Sequence, residues 1–153
     1  MTARTADVAS APRYVSLLNP IARFLLAAGV PLGPNALLTI RGRKTGLPRT
    51  TPVAIIQGPG GRWIWSPWGE VNWVRNLRAA GRATITVRGR TEEVQAIELD
   101  PEQRVGFFRD VLGPLARRIP LGVWFVRIVD GVDPRRPLEA ASGRAVFELH
   151  ATR

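Results

Sequence analysis

The chain has no cysteine, and its one histidine, His150, stands close to the end. Disulfide frameworks, thiol nucleophiles, Cys/His zinc sites and histidine-centred triads are excluded together. Lysine is almost missing too: Lys44 is alone among 22 cations, and the rest are arginine. Acids are absent from residues 8–69, a stretch that carries Arg13, Arg23, Arg41, Arg43, Lys44, Arg49 and Arg62. Long apolar runs are lacking as well. Residues 21–32 are interrupted by Arg23 and fall short of the ~20 apolar residues that cross a bilayer. They also lie too deep, without a cleavage pattern, to be a secretory signal. The default expectation is a soluble, cytoplasmic protein. Its chemistry must rest on backbone, hydroxyls, carboxylates, arginines or a borrowed cofactor.

What is present suits a single domain. The 153 residues are 45% hydrophobic and 22% charged, ordinary globular values that exclude wholesale disorder. Residues 1–12 are small and polar and read as a flexible tail, leaving 13–153 as one folded unit. The net charge of +10 is unevenly spread, because residues 70–153 hold 14 cations against 11 acids. The acid-free section therefore carries most of the excess. Such a field attracts nucleic acid, an anionic membrane, or a phosphorylated or polycarboxylate ligand. A general arginine bias could raise the total, but it does not explain the missing acids.

Local signals predict short strands interleaved with helices. Asn19-Pro20 starts a helix with an apolar stripe at Ile21, Phe24 and Leu25, closed by Gly29. Strands are expected over residues 36–41, 51–57 and 62–66, the last two joined across Gly58-Pro59-Gly60-Gly61. Residues 71–80 read as a helix with Asn72 as cap and Gly81 as stop. Residues 82–87 and 91–99 alternate around Arg88-Gly89-Arg90 as a hairpin. Asp100-Pro101-Glu102-Gln103 is a clear helix start, with Val105, Phe108 and Leu112 pointing inward. Residues 115–132 read as helix broken by Pro120 and Gly122, and 145–149 as a final strand. Five or six mostly antiparallel strands with three or four helices make an α+β fold, either a small barrel or a sandwich.

Two clusters exceed what folding needs. Arg41, Arg43, Lys44 and Arg49 place four cations in nine residues, interleaved with Gly42, Gly46, Pro48 and the hydroxyls of Thr45, Thr50 and Thr51. Glycines let backbone N–H groups approach an anion, and guanidinium forks grip phosphate or carboxylate oxygens in pairs. The spacing is neither a Walker loop nor G-x-G-x-x-G. An exposed basic turn is the plain alternative. The second cluster holds Trp63, Trp65, Trp68 and Trp73, with Ser66, Pro67, Asn72, Arg75 and Asn76. Aromatic faces beside arginine suit a planar anionic ligand. For Trp63 and Trp65, core packing explains the residues equally well.

The run Leu38-Thr39-Ile40-Arg41-Gly42-Arg43-Lys44-Thr45-Gly46-Leu47-Pro48-Arg49-Thr50-Thr51-Pro52, followed by Trp-x-x-Asn-Leu at Trp73–Leu77, resembles the deazaflavin-dependent nitroreductase family of actinobacteria. The similarity extends from about Asn19 to residues 146–150. It implies a split β-barrel related to the FMN-binding barrels. It also implies a deazaflavin cofactor, coenzyme F420, with a phosphate and an oligoglutamate tail; FMN is the alternative. Carried over residue by residue, Arg43, Lys44, Thr45 and Arg49 would hold the phosphate and tail. Thr50, Thr51, Pro52 and Val53 would line the approach to the ring. Ile64, Trp65, Ser66 and Pro67 would flank it, and Asn72, Trp73, Arg75 and Asn76 would close the groove; Trp68, between Pro67 and Gly69 in an expected loop, joins the cofactor-binding set by its place in the chain. No metal is expected.

Hydride transfer between reduced F420 and a hydrophobic acceptor of quinone, nitro or enoyl type is the activity implied. Such chemistry asks the protein to bind, orient and exclude water rather than to supply a nucleophile. Ser66 is the candidate catalytic side chain, orienting ring or substrate by a hydrogen bond. The family's pocket tyrosines are not matched, since Tyr14 is the one tyrosine; residues 115–126 offer Trp124 and Phe125 instead. A non-enzymatic binder of F420, FMN or a lipid-like ligand is the runner-up. Nucleic-acid binding is disfavoured, because the basic cluster is confined to one loop and no helix-turn-helix, RNP or finger motif is visible. Association with the inner face of a membrane, and monomer against homodimer, stay open.

Overall fold

A computed structural model of the chain describes residues 35–120, 122–129 and 131–152. The expected tail at 1–12 and the helix begun by Asn19-Pro20 lie outside the described residues. Seven strands form one antiparallel sheet: β1 (Ala36–Arg41), β2 (Pro48–Val53), β3 (Ile55–Gly58), β4 (Gly61–Trp65), β5 (Arg82–Val87), β6 (Arg90–Glu98) and β7 (Val146–Ala151). Their order across the sheet is β2-β1-β5-β6-β7-β4-β3. The two edge strands, β2 and β3, are consecutive in the chain with only Ala54 between them. A sheet whose opposite edges are one residue apart has to curl round on itself. The result is a split barrel, closed covalently at that corner rather than by a ladder.

Here the sequence reading needs correcting, because residues 51–57 are not one strand. Asn35 explains where the break falls. Its backbone N–H donates to the Val53 carbonyl at 3.0 Å. Its side-chain amide donates to the Ile55 carbonyl at 2.9 Å and accepts from the Ile55 N–H at 2.7 Å. One carboxamide thus satisfies both backbone groups of the residue that leaves the β2 edge to begin β3.

Alternation on the strands divides the apolar residues between two cores. Inside the barrel lie Ala36, Leu38 and Ile40 of β1, Val53, Ile64, Ile85, Val94, Phe147 and Leu149. Helix α1 (Asn72–Ala80) closes one end of this interior with Val74 and Leu77. On the opposite face of β4, Trp63 and Trp65 enter a second core with Ile56, Phe107, Phe108, Leu112, Ala116 and Val126. That core lies beneath α2 (Pro101–Phe107), a π-helical turn at Phe108–Leu112, α3 (Gly113–Arg118), α4 (Gly122–Val129) and α5 (Pro137–Ala141). The wider π turn lets adjacent Phe107 and Phe108 both be buried. Phe107 leans on Trp63 at 6.0 Å between ring centres, and Phe108 meets Trp65 edge-on at 5.4 Å.

Within the described residues, the helix signals are realised with one exception. Asp100 and Gln103 form a full capping box, with bonds of 2.8 and 3.0 Å. Gly81 ends α1 in the left-handed region, its N–H bonded to the Leu77 carbonyl. Asn72, however, is not the cap of α1. That position is Val71, which offers no side-chain bond, and Asn72 is the first helical residue. The expected break in residues 115–132 falls at Ile119, between α3 and α4. Any side chain at Gly122 would run into the Ala116 carbonyl, so the close crossing of α3 and α4 demands glycine.

Candidate cofactor site

The cationic residues stand on the turn between β1 and β2, at the barrel end that α1 closes. In register, Arg41 faces Pro48, Ile40 faces Arg49 and Thr39 faces Thr50. The turn is tight and internally bonded. Gly42 N–H reaches the Leu47 carbonyl at 2.8 Å, and Gly46 N–H reaches the Gly42 carbonyl at 2.9 Å. Gly46 has a φ of 71°, which a side chain would strain. Thr45 accepts the Leu47 N–H on its hydroxyl at 3.2 Å. Arg41, Arg43, Lys44 and Arg49 are all exposed.

One side chain ties this turn to the helix. Asn76 of α1 accepts the Arg43 backbone N–H at 3.2 Å and the Arg43 guanidinium Nη1–H at 2.7 Å, both on Oδ1. The turn and α1 therefore share one surface. Arg78 holds the other side of α1. Its guanidinium grips Glu98 of β6 at 2.7 and 2.8 Å and Glu70 at 2.8 Å. That contact keeps the Glu70 carboxyl below its ordinary range.

Among the described residues, no acid pairs with Arg41, Arg43, Lys44 or Arg49, whereas ion pairs join Arg62–Glu92, Arg78–Glu98, Arg109–Asp110, Arg135–Asp133 and Arg136–Glu139. Four like charges held within a few residues of one another raise the local potential, and a polyanion relieves it.

Strand alternation separates the residues expected along β2. Arg49, Thr51 and Val53 share the inner face with Ile40, Leu38 and Ala36. Exposure falls along that row, from open Arg49 through half-buried Thr51 to buried Val53. Thr50 and Pro52 take the outer face, where the Thr50 hydroxyl is 2.9 Å from that of Thr39. The five residues do not line one wall.

The aromatic platform also needs correction. Ile64 is sealed inside the barrel, and Trp65, like Trp63, is packed under the helices. Neither Ile64 nor Trp65 presents a side chain to a ring bound at the turn. Trp73 packs tilted on Phe147 at 6.2 Å and stays half-buried, as do Pro67 and Trp68. Asn72 and Arg75 are exposed on α1. Ser66 is 0% exposed, and its hydroxyl donates to the Gly69 carbonyl at 2.7 Å. Its proton is thus committed to the turn that starts α1. The geometry supports that structural role and not the ring-orienting one.

Sequence reasoning passed over Arg144. Its Nε donates to the Pro67 carbonyl at 3.0 Å, and its Nη1 to the Glu139 and Ala140 carbonyls at the end of α5. Arg104 in turn donates to the Arg144 carbonyl at 3.3 Å. This arginine anchors the Trp68 loop to the helical layer across 77 residues of sequence. Nothing local marks it.

The model of the F420H(2)-dependent quinone reductase family matches residues 26–116, more than half of the chain. The chain belongs to this family. It is an oxidoreductase, and its cofactor is coenzyme F420. Both motifs that suggested a deazaflavin protein lie within the matched residues, although the family carries the quinone reductase name. No curated protein matches the chain. Among solved structures, it resembles a provisionally named 5-nitroimidazole antibiotic resistance protein of Bacteroides thetaiotaomicron. The TM-score is 0.51 at 12% identity, covering 77% of this chain and 72% of that one. A conserved hypothetical protein of Mycobacterium tuberculosis aligns with a TM-score of 0.51 at 17% identity, covering 99% and 87%. These two similarities concern the fold.

The donor set suits the F420 of this reductase family. Guanidinium and ammonium groups without acidic partners, a threonine hydroxyl and a glycine-bent backbone are what a phosphate followed by several carboxylates requires. Among the described residues, no helix is long and apolar enough to cross a membrane.

Proposed function

We propose that this F420-dependent oxidoreductase binds the cofactor's phosphate and tail at the β1–β2 turn and passes a hydride to a hydrophobic, quinone-like acceptor. The observation that carries the proposal is the exposed row Arg41, Arg43, Lys44 and Arg49, which has no acidic partner among the described residues and is latched to α1. Arg43, Lys44, Thr45 and Arg49 hold the anionic part. Arg49 and Thr51 lead from the turn towards the barrel interior, and half-buried Trp68 and Trp73 are the indoles left to meet the ring. When bound, F420 supplies a two-electron hydride donor. The chain's own contribution is to hold the anion, fix the wall of the site and keep water from it. Nothing in that work calls for a titrating side chain, which accords with the want of cysteine and histidine there. Nitro and enoyl compounds are the alternative acceptors.

The test is a fluorescence-anisotropy titration of F420 preparations differing in glutamate number. Affinity should rise with tail length and fall with added salt. Unchanged anisotropy at micromolar protein would end the proposal. Reoxidation of reduced F420 by a quinone, a nitroimidazole and an enoyl compound then identifies the acceptor class.

A further inference from the structure

Asn76 lies in the second turn of α1 with 7% of its surface exposed. Its Oδ1 receives two donors, the backbone N–H and the Nη1–H of Arg43, which also identifies that atom as the oxygen. One acceptor therefore fixes both the backbone of the turn and the guanidinium that the turn carries. The chemistry of that acceptor matters. Five other guanidinium groups, those of Arg62, Arg78, Arg109, Arg135 and Arg136, are held by carboxylates. Arg43 is held by a neutral carboxamide. A carboxylate of the same shape would make the stronger bond, since it adds the attraction of an opposite charge to a hydrogen bond whose donor is already ionised. It would also cancel the charge that an anionic ligand needs.

We propose that Asn76 is a positioning residue. It aims Arg43 at the anionic part of the cofactor while leaving the guanidinium charge uncompensated. This inference rests on the cofactor site proposed above. It gives the Asn76 oxygen to Arg43, a task different from contact with the ligand, and the double-variant cycle below separates that task from any bond its amide N–H groups make to the anion.

The experiment measures F420 affinity by anisotropy, and the thermal midpoint without cofactor, for wild type, Asn76→Asp, Asn76→Ala, Arg43→Ala and the Arg43→Ala/Asn76→Ala double variant. Asn76→Asp should keep or raise the midpoint, because a better acceptor faces Arg43, and yet weaken F420 about 100-fold at low salt. The deficit should shrink as salt screens the new charge. Asn76→Ala should weaken binding about tenfold in the wild-type background and less than about twofold once Arg43 is gone. A purely structural Asn76 would give Asn76→Asp wild-type affinity, and that result overturns the inference. Equal loss from Asn76→Ala in both backgrounds would make it a direct ligand and overturns it also. Should Asn76→Asp fail to fold, the alanine cycle decides alone. Absence of binding by wild type instead removes the cofactor site itself, which separates the two failures.

Discussion

The two ends of the charge distribution obey different rules. Around the helical layer and along β4 and β6, arginines meet carboxylates, as in Arg62–Glu92, Arg135–Asp133 and Arg78 between Glu70 and Glu98. At the β1–β2 turn the cations stand together, and the one with a side-chain partner has a neutral one. Exposed ion pairs contribute little to stability, with a median near 0–1 kcal/mol. Their larger effect is to lower the charge that those arginines offer to an anion. The neutralisation is partial, since Arg82, Arg88, Arg90, Arg117 and Arg118 are exposed and have no ion pair among the described residues.

Substitutions can break or sharpen that contrast. The largest effect is expected away from the turn. Phe108→Ala should lower stability by about 3–5 kcal/mol, read from urea unfolding, because it empties the contact with Trp65 and Phe107. F420 affinity of the folded protein should stay within about twofold. A large loss of affinity would mean that the two regions are coupled.

Arg43→Ala/Lys44→Ala should show the reverse pattern. Two charge-assisted contacts at roughly 1.5 kcal/mol each predict a loss of about 100-fold in F420 affinity by anisotropy, with the thermal midpoint little changed. Ser66→Ala follows, at about 1 kcal/mol of stability for the bond to Gly69, with turnover per folded molecule intact. Turnover abolished in a stable variant would return Ser66 to the catalytic role.

The smallest effect is one of pH. The Arg62 hydrogen bond lowers the Glu92 carboxyl from its ordinary 4.5, and Arg135 lowers Asp133 from 3.8 to about 2. A carboxylate whose folded value lies below its unfolded one stabilises fully above the unfolded value. That stability is lost as pH falls through the folded value. Midpoints should hold from neutral down to about pH 5 and then decline, and Arg62→Ala should flatten the early part of the decline. An unchanged curve in that variant would show that the pair adds nothing.

Legibility in the sequence followed the range of the interaction. The capping box at Asp100–Gln103, the stop at Gly81 and the hairpin of β5 and β6 depend on neighbours a few residues apart, and pattern alone located them. The cationic turn was equally visible, because its glycines, threonines and arginines are contiguous. The division of residues 51–57 into two edge strands was not. The apolar run Val53-Ala54-Ile55-Ile56 does not say where one strand ends and the next begins, and the bonds that set the break come from Asn35, 20 residues before Ile55. For Trp63 and Trp65 the sequence left stacking and core packing equal, and the choice waits on the sheet having two sides, one of them covered by Phe107 and Phe108.

By itself, the sequence determined the anion-seeking character of the turn and the elements on either side of it, since charge, backbone freedom and local hydrogen bonding are properties of adjacent residues. Only the tertiary structure decided which face each strand residue takes, where the barrel is cut, that Asn76 ties the β1–β2 turn to α1, and that Arg144 ties the Trp68 loop to the helical layer. Those outcomes depend on groups 33 and 77 positions apart being brought within 3 Å, and no local pattern encodes such a meeting before the sheet has curled.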